Sequence, residues 1–120
     1  MIDKTKKICI VGVSSNPEKY GFIVYKDLKD SGYDVVAVNP NLEYVDSDRC
    51  YHSIKEIPYK IDVLVCVVQP NVCYNIIKEA YHLGIKNVWI QPGAESEESI
   101  EFCKKHNINV IHNSCIMIEK

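Results

Sequence analysis

Five short apolar runs punctuate the chain, and segments with a helical hydrophobic period lie between most of them. The runs are continuous rather than alternating and are rich in Val and Ile, which is typical of parallel strands buried on both faces. They occupy Ile8–Val13, Val35–Val38, Ile61–Val68 (interrupted by Asp62), Val88–Ile90 and Val110–Ile111. The pattern therefore predicts a buried parallel sheet of about five strands.

The segments between the runs predict three helices. The first extends over about Glu18–Ser31 and stops at Gly32, because glycine readily ends a helix. The second begins at Pro70, which suits a first helical turn, and ends at Gly84. The third begins after Ser96, a residue type that caps helix N-termini.

The segment between the second and third runs is the least regular. Asn41–Tyr51 is polar, and we expect it to be a loop and the most mobile part of the chain. Ser53–Ile57 predicts a short helical turn, which Pro58 stops.

Buried strands that alternate with helices predict an α/β fold. Because parallel crossovers are right-handed, we expect a single-domain, Rossmann-like, doubly wound parallel sheet with strand order 3-2-1-4-5. In such a sheet the ligand binds beyond the carboxyl ends of the strands, where the strand order reverses.

Composition narrows the class of protein. The length of 120 residues predicts one domain over residues 1–120, and the net charge of −2 speaks against a nucleic-acid partner. No apolar stretch approaches the roughly 20 residues of a membrane span, and we recognise no signal peptide. The six cysteines form no Cys-x-x-Cys pair and no histidine has metal-ligand spacing. We therefore predict a cytoplasmic protein with reduced thiols and no metal site.

The junction between the first run and the first helix predicts an anion site. Gly12-Val13-Ser14-Ser15 follows the apolar run, and Lys19 lies one turn further on. Free backbone N–H groups and the positive end of a helix dipole favour a phosphate at such a junction.

Three of the four ends that face the predicted crevice carry a neutral amide followed by proline. They are Asn39-Pro40, Gln69-Pro70 and Gln91-Pro92-Gly93. Proline stops the strand and stiffens the turn, and the amide offers donors and acceptors without charge. Each pair taken alone is also explained as a strand terminator.

These ends favour coenzyme A over a nicotinamide dinucleotide. The spacing from Gly12 to Gly21 does not fit Gly-x-Gly-x-x-Gly. The second strand ends in Asn39-Pro40, where NAD-binding proteins usually place Asp or Glu for the ribose. CoA combines a pyrophosphate and an adenine with a pantetheine arm that has two amides, and it fits the neutral amides better.

The whole chain resembles the small stand-alone CoA-binding proteins and the CoA-binding domain of succinyl-CoA synthetase alpha subunits and ADP-forming acyl-CoA synthetases. The order and spacing of the matching segments carry this resemblance. The segments are Val11–Pro17, Gly32-Tyr33, Val38–Pro40, Cys50–Pro58, Ile90–Ala94 and Cys115–Glu119.

The resemblance implies a CoA site along this crevice. The phosphates would meet the glycine-serine loop, the adenosine would lie between the second and third strand ends, and the pantetheine would lie against the fourth. The implied ligand-binding residues are Gly12, Val13, Ser14, Ser15, Lys19, Gly21, Asn39, Pro40, Gln69, Pro70, Gln91, Pro92, Gly93 and Ala94. One departure is Asn41, where family members often carry Lys.

We therefore expect a protein that binds CoA or an acyl-CoA and is a binding module rather than an enzyme. The synthetases use a further domain with a phosphorylated histidine, so their chemistry is not implied. Two alternatives stay open: an NAD(P)-dependent oxidoreductase, and a redox-regulatory protein in which Cys115 forms a mixed disulfide with CoA. A homodimer also stays open.

Overall fold

Seven strands and four helices alternate around one sheet in the computed structural model, which describes residues 1–120. The strands are β1 (Lys7–Val11), β2 (Asp34–Val38), β3 (Tyr44–Val45), β4 (Asp48–Tyr51), β5 (Val63–Cys66), β6 (Asn87–Ile90) and β7 (Asn109–Ile111). The helices are α1 (Tyr20–Asp30), α2 (Pro70–His82), α3 (Glu97–Lys105) and α4 (Ile116–Glu119), with a 3₁₀ turn at Ile54–Glu56. None of the helices has the length and apolar character needed to cross a membrane.

The sheet has the order β3-β4-β2-β1-β5-β6-β7, and every pairing except that of β3 with β4 is parallel. The chain moves outward from β1 through β2 to β4 and then returns to β5 on the other side of β1. The order therefore reverses between β1 and β5. This confirms the predicted doubly wound α/β fold, with seven strands rather than five.

Helices cover both faces of the sheet, and the parallel strands contribute side chains to both cores. On one face Cys9 and Leu64 pack with Ile77 of α2. On the other face Ile10 and Val65 pack with residues of α1 and with Ile116 of α4. Burial on both faces explains why these strands are continuous apolar runs.

The third position in the predicted strand order was assigned to the wrong segment. Ile61–Val68 was expected beyond the second strand, but its strand β5 pairs with β1, with Ile8 opposite Val63. β4 takes the position beside β2 instead, with Ala37 opposite Cys50. Counted with β4 as the third, the parallel strands have the order 3-2-1-4-5-6.

The prediction of a polar loop over Asn41–Tyr51 was wrong, because this segment contains the β3–β4 hairpin. Its two-residue turn is Asp46–Ser47, with φ angles of 49° and 68°. Positive φ at both central residues matches the twist of paired strands. Within the hairpin strands only Val45 and Cys50 are buried, so no apolar run marks them in the sequence.

A charged network attaches this hairpin to α1. The Lys29 ammonium lies 2.7 Å from a carboxylate oxygen of Asp48 and 3.0 Å from one of Asp46. The Tyr25 hydroxyl donates to Asp48 over 2.7 Å. Lys29 lowers the pKa of Asp48; burial opposes this shift, and the Tyr25 hydrogen bond adds to it. The hairpin therefore has a fixed position against the helix.

We expect Asp48 to contribute to the pH dependence of stability. Because its pKa is lower in the folded state, its pairing stabilises the protein above the unfolded pKa of about 4 and is lost as the pH falls through the folded value. Asp48→Asn should lower the free energy of unfolding by roughly 0.5–1 kcal/mol at about pH 6, since the pair is partly exposed. The loss should shrink towards about pH 2, as measured by urea unfolding across this range.

Glu101→Gln is the matched control, because Glu101 is an exposed residue of α3 without an ion pair. Its stability curve should follow that of the unaltered protein. Parallel curves for Asp48→Asn and the unaltered protein through the acid range would contradict the role given to Asp48.

Candidate functional site

A cleft of about 770 Å³ opens at the carboxyl ends of β1, β2 and β5, where the strand order reverses. This size is within the range of small-molecule sites. Eleven of the fourteen predicted binding residues line it: Gly12, Val13, Ser14, Lys19, Gly21, Asn39, Pro40, Gln69, Pro92, Gly93 and Ala94. Ser15, Pro70 and Gln91 do not.

The loop after β1 begins at Gly12, which has a φ of 97°. A Cβ atom here would overlap the carbonyl group of Val67, just after β5. The Gly12 N–H also donates to the carbonyl of Val38 over 3.1 Å. Only glycine fits this backbone angle and this close approach, so the loop is held between the ends of β2 and β5.

Gly21, in the first turn of α1, makes the second close approach. A Cβ atom on Gly21 would overlap the carbonyl oxygen of Gly12. At Gly21 a side chain is excluded by lack of space and not by the backbone angle, because this residue has the ordinary φ of a helix. The start of α1 therefore packs directly against the loop.

Unpaired backbone N–H groups gather where the loop meets α1. Those of Val13, Ser14, Ser15, Tyr20 and Gly21 donate no hydrogen bond within the protein. The helix also has no side-chain cap at its N-terminus. N–H groups at a helix start bind anions, so the junction is suited to a phosphate.

The Asn39 side chain fixes this loop. Its Nδ2 donates to the carbonyl of Val13 over 2.7 Å, and its Oδ1 accepts from the N–H of Asn41 over 2.7 Å. The sequence predicted this amide as a ligand contact. In the structure the amide joins the end of β2 to the loop after β1.

Gln91 is fully buried and lies behind the cleft rather than in it. Its Nε2 donates to the Tyr20 hydroxyl over 2.8 Å, and its Oε1 accepts from the N–H of Ile116 over 2.8 Å. Gln91 thereby connects the end of β6 with α1 and α4. The residues after it, Pro92 to Ala94, do line the cleft.

Ser15 and Pro70 are the other two predicted binding residues that do not line the cleft. Ser15 is exposed in the loop, and Pro70 is the first residue of α2. Pro70 suits that position because the first helical residues have no intrahelical acceptor for their N–H.

Several polar residues that line the cleft were not among the predicted binding residues. They are Tyr20, Asn41, His52, Ser53 and Glu79. His52 and Ser53 follow β4, a strand that the apolar pattern did not reveal. The sequence did carry signals for four of them. Tyr20 and Asn41 directly adjoin predicted residues, and Asn41 is the position where family members often carry Lys. The matching segment Cys50–Pro58 contains His52 and Ser53.

Cys115 lies beside this site and is partly exposed, whereas the other five cysteines are buried. Its Sγ is 3.2 Å from the Tyr20 hydroxyl and 3.5 Å from Nε2 of Gln91. Burial opposes ionisation of the thiol. Hydrogen bonds from Tyr20, Gln91 and the N–H groups of Met117 and Ile118 outweigh it, and the pKa of Cys115 is lowered.

The family model of the CoA binding domain matches residues 6–120. The chain belongs to the CoA-binding domain family. Among solved structures, this chain is similar to a conserved hypothetical protein from Pyrococcus furiosus, at 45% identity and a TM-score of 0.92. That match covers 96% of this chain and 99% of the other.

Two curated relatives differ in length. YneT of Bacillus subtilis is 26% identical, and the match covers 98% of this chain and 87% of YneT. The alpha subunit of acetate–CoA ligase (ADP-forming) II from Pyrococcus furiosus is 30% identical, and the match covers 92% of this chain but 27% of that subunit. This chain thus spans about a quarter of the length of the ligase subunit.

We expect Gly21→Ala to displace the loop that follows β1. The added methyl group would overlap the Gly12 carbonyl, so the loop or the helix must shift. The free energy of unfolding should fall by roughly 1–3 kcal/mol. In amide NMR spectra, the resonances of Val13 and Ser14 should move.

Gly84→Ala is the control that separates the steric displacement of the loop from the general cost of replacing a glycine. Gly84 has a φ of 80°, and a Cβ atom there would meet no atom within 4 Å. This variant should lose about 1 kcal/mol through its backbone angle and leave the loop resonances in place. Unmoved loop resonances in Gly21→Ala would show that the close approach does not position the loop.

Proposed function

We propose that this chain binds coenzyme A or an acyl-CoA in the cleft at the carboxyl ends of β1, β2 and β5, as a single CoA-binding domain over residues 1–120. The family match supports the ligand class. The observation that carries the proposal is the set of unpaired N–H groups at the β1–α1 junction, because four of their five residues, Val13, Ser14, Tyr20 and Gly21, line a cleft large enough for an extended ligand.

The cleft has a suitable position for each part of CoA. The pyrophosphate meets the loop of Gly12 to Ser15, next to Lys19. The adenosine lies towards the ends of β2 and β4, as nucleotides do beside the second strand of such sheets. The pantetheine arm lies against Pro92 to Ala94, where the lining is largely uncharged.

We propose a binding role without catalysis. The side chains in the cleft lining that can carry charge are Lys19, His52 and Glu79. Ser53 donates to Glu79 over 3.3 Å, and neither of them contacts His52 in a nucleophile–base arrangement. The cytoplasm suits such a protein, because its thiols are unpaired.

Thermal unfolding tests CoA binding directly. CoA at about 100 times its Kd should stabilise the protein by about 2.7 kcal/mol, which corresponds to a rise in Tm on the order of 10 °C. NAD and ATP should give much smaller shifts. Lys19→Met should weaken CoA binding by about threefold to tenfold, because it removes a charge beside the phosphates.

Lys104→Met is the control, since Lys104 is exposed on α3, outside the cleft. It should bind CoA like the unaltered protein. A Tm shift with NAD as large as that with CoA would overturn the proposal and favour the oxidoreductase alternative.

A second candidate function uses the thiol of Cys115. Its thiolate would attack one sulfur of CoA disulfide; the original S–S bond breaks, one CoA leaves as a thiolate, and a protein–CoA mixed disulfide remains. The lowered pKa of Cys115 and its contact with Tyr20, a cleft residue, favour this exchange.

We expect CoA disulfide to add one CoA to the protein, as measured by intact-mass spectrometry. Tyr20→Phe should slow the addition several-fold, because it removes a hydrogen bond that stabilises the thiolate. Cys115→Ser should abolish it, and oxidised glutathione should react more slowly because it lacks the nucleotide. An unmodified Cys115 would exclude this function and leave CoA binding itself unaffected.

A further inference from the structure

The ends of two paired strands form one edge of the cleft. β2 and β4 are parallel, with Val38 opposite Tyr51, and the Asn39 N–H donates to the Tyr51 carbonyl over 2.9 Å. The residues that follow these strands therefore lie side by side, and Asn41 and His52 both line the cleft. We call this the β2–β4 edge.

The β2–β4 edge suits the ribose of a bound nucleotide. In doubly wound sheets the phosphates lie at the first βα loop and the ribose lies at the end of the second strand. The ribose of CoA carries a 3′-phosphate, and a phosphate monoester has a charge of roughly −1.5 to −2 near neutral pH. CoA bound as proposed above would therefore place a second phosphate group at this edge, where it needs a cationic partner.

His52 is the one side chain of this edge that can offer positive charge to the cleft. Lys19 is not part of this edge, because it directly precedes α1. Asn41 is neutral. Lys55 is not part of the lining, and its ammonium lies 3.9 Å from a carboxylate oxygen of Glu79.

The ring of His52 is held through one nitrogen only. Its Nε2 lies 2.7 Å from Oε1 of Glu43, and no protein group bonds to Nδ1. The side chain is 41% exposed. In the imidazolium form Nε2–H donates to Glu43, and Nδ1–H remains available for a phosphate oxygen.

The carboxylates near this edge make the charge of His52 decisive. Glu43 bonds to the ring, and Glu79 lines the same cleft. Both repel a dianion, so without a positive charge at position 52 the edge would disfavour a phosphate. A ligand without that phosphate would not meet this repulsion.

We infer that His52 recognises the 3′-phosphate of CoA, so that the cleft prefers CoA over dephospho-CoA. This inference rests on the proposed CoA binding and adds a determinant of ligand choice to it. His52 acts here as a specificity residue, because it distinguishes two ligands that share the pyrophosphate and the pantetheine.

Calorimetric titration of the full chain with CoA and with dephospho-CoA tests the inference, at about pH 6.5 and about 50 mM salt. The unaltered protein should bind CoA about tenfold more tightly than dephospho-CoA. His52→Gln should remove most of that preference by weakening CoA binding alone. His82→Gln, which alters an exposed histidine outside the cleft, should keep it.

A second substitution tests the charge itself. Asn41→Lys added to His52→Gln should restore a preference for CoA, because it returns a cation to the same edge. Thermal unfolding of each variant without ligand establishes that it is folded.

The outcomes separate the two proposals. Binding of CoA with no preference over dephospho-CoA, or an equal loss of both ligands in His52→Gln, would overturn the role of His52 and leave CoA binding intact. No binding of either ligand to the unaltered protein would overturn the proposed function, and this inference with it.

Discussion

The close approach of three backbone segments at the point of sheet reversal is the constraint on which the site depends. Gly12 passes against the carbonyl of Val67, and Gly21 passes against the carbonyl of Gly12. These approaches bring the end of β1, the end of β5 and the start of α1 together. Side chains at either glycine would separate these segments. Because the backbone is this tightly packed, four of the residues with unpaired N–H groups, Val13, Ser14, Tyr20 and Gly21, line one cleft.

Two side-chain amides, those of Asn39 and Gln91, also hold the walls of the cleft in place. Asn39 joins the loop to the end of β2, and Gln91 joins α1 to the C-terminal segment from inside the core. Both are neutral, so the half-buried Asn39 and the fully buried Gln91 make these hydrogen bonds without the cost of burying a charge. The two amides thus position the cleft walls.

The elements that the sequence predicted correctly are those marked by a local pattern of residues. β1, the glycine loop, α1 and α2 each combine an apolar period with a glycine or proline at the boundary, and all lie close to their predicted positions. The β3–β4 hairpin was not predicted, because it has too few buried side chains to form an apolar run in the sequence. α4 was not predicted, because its four residues are too few to show a helical period. The burial of Gln91 depends on Tyr20 and Ile116, which are 71 and 25 residues away in the chain, so no local pattern shows it.

The short outer strands of the sheet have a consequence for the behaviour of the protein in concentrated solution. β3 has two residues and β7 has three, so each edge offers few free backbone groups. Long, flat edges are templates on which further chains add as strands, and natural proteins avoid this by keeping their edges short. The hairpin that Lys29 holds against α1 therefore also ends the sheet, and it protects the buried parallel strands from aggregation by strand addition.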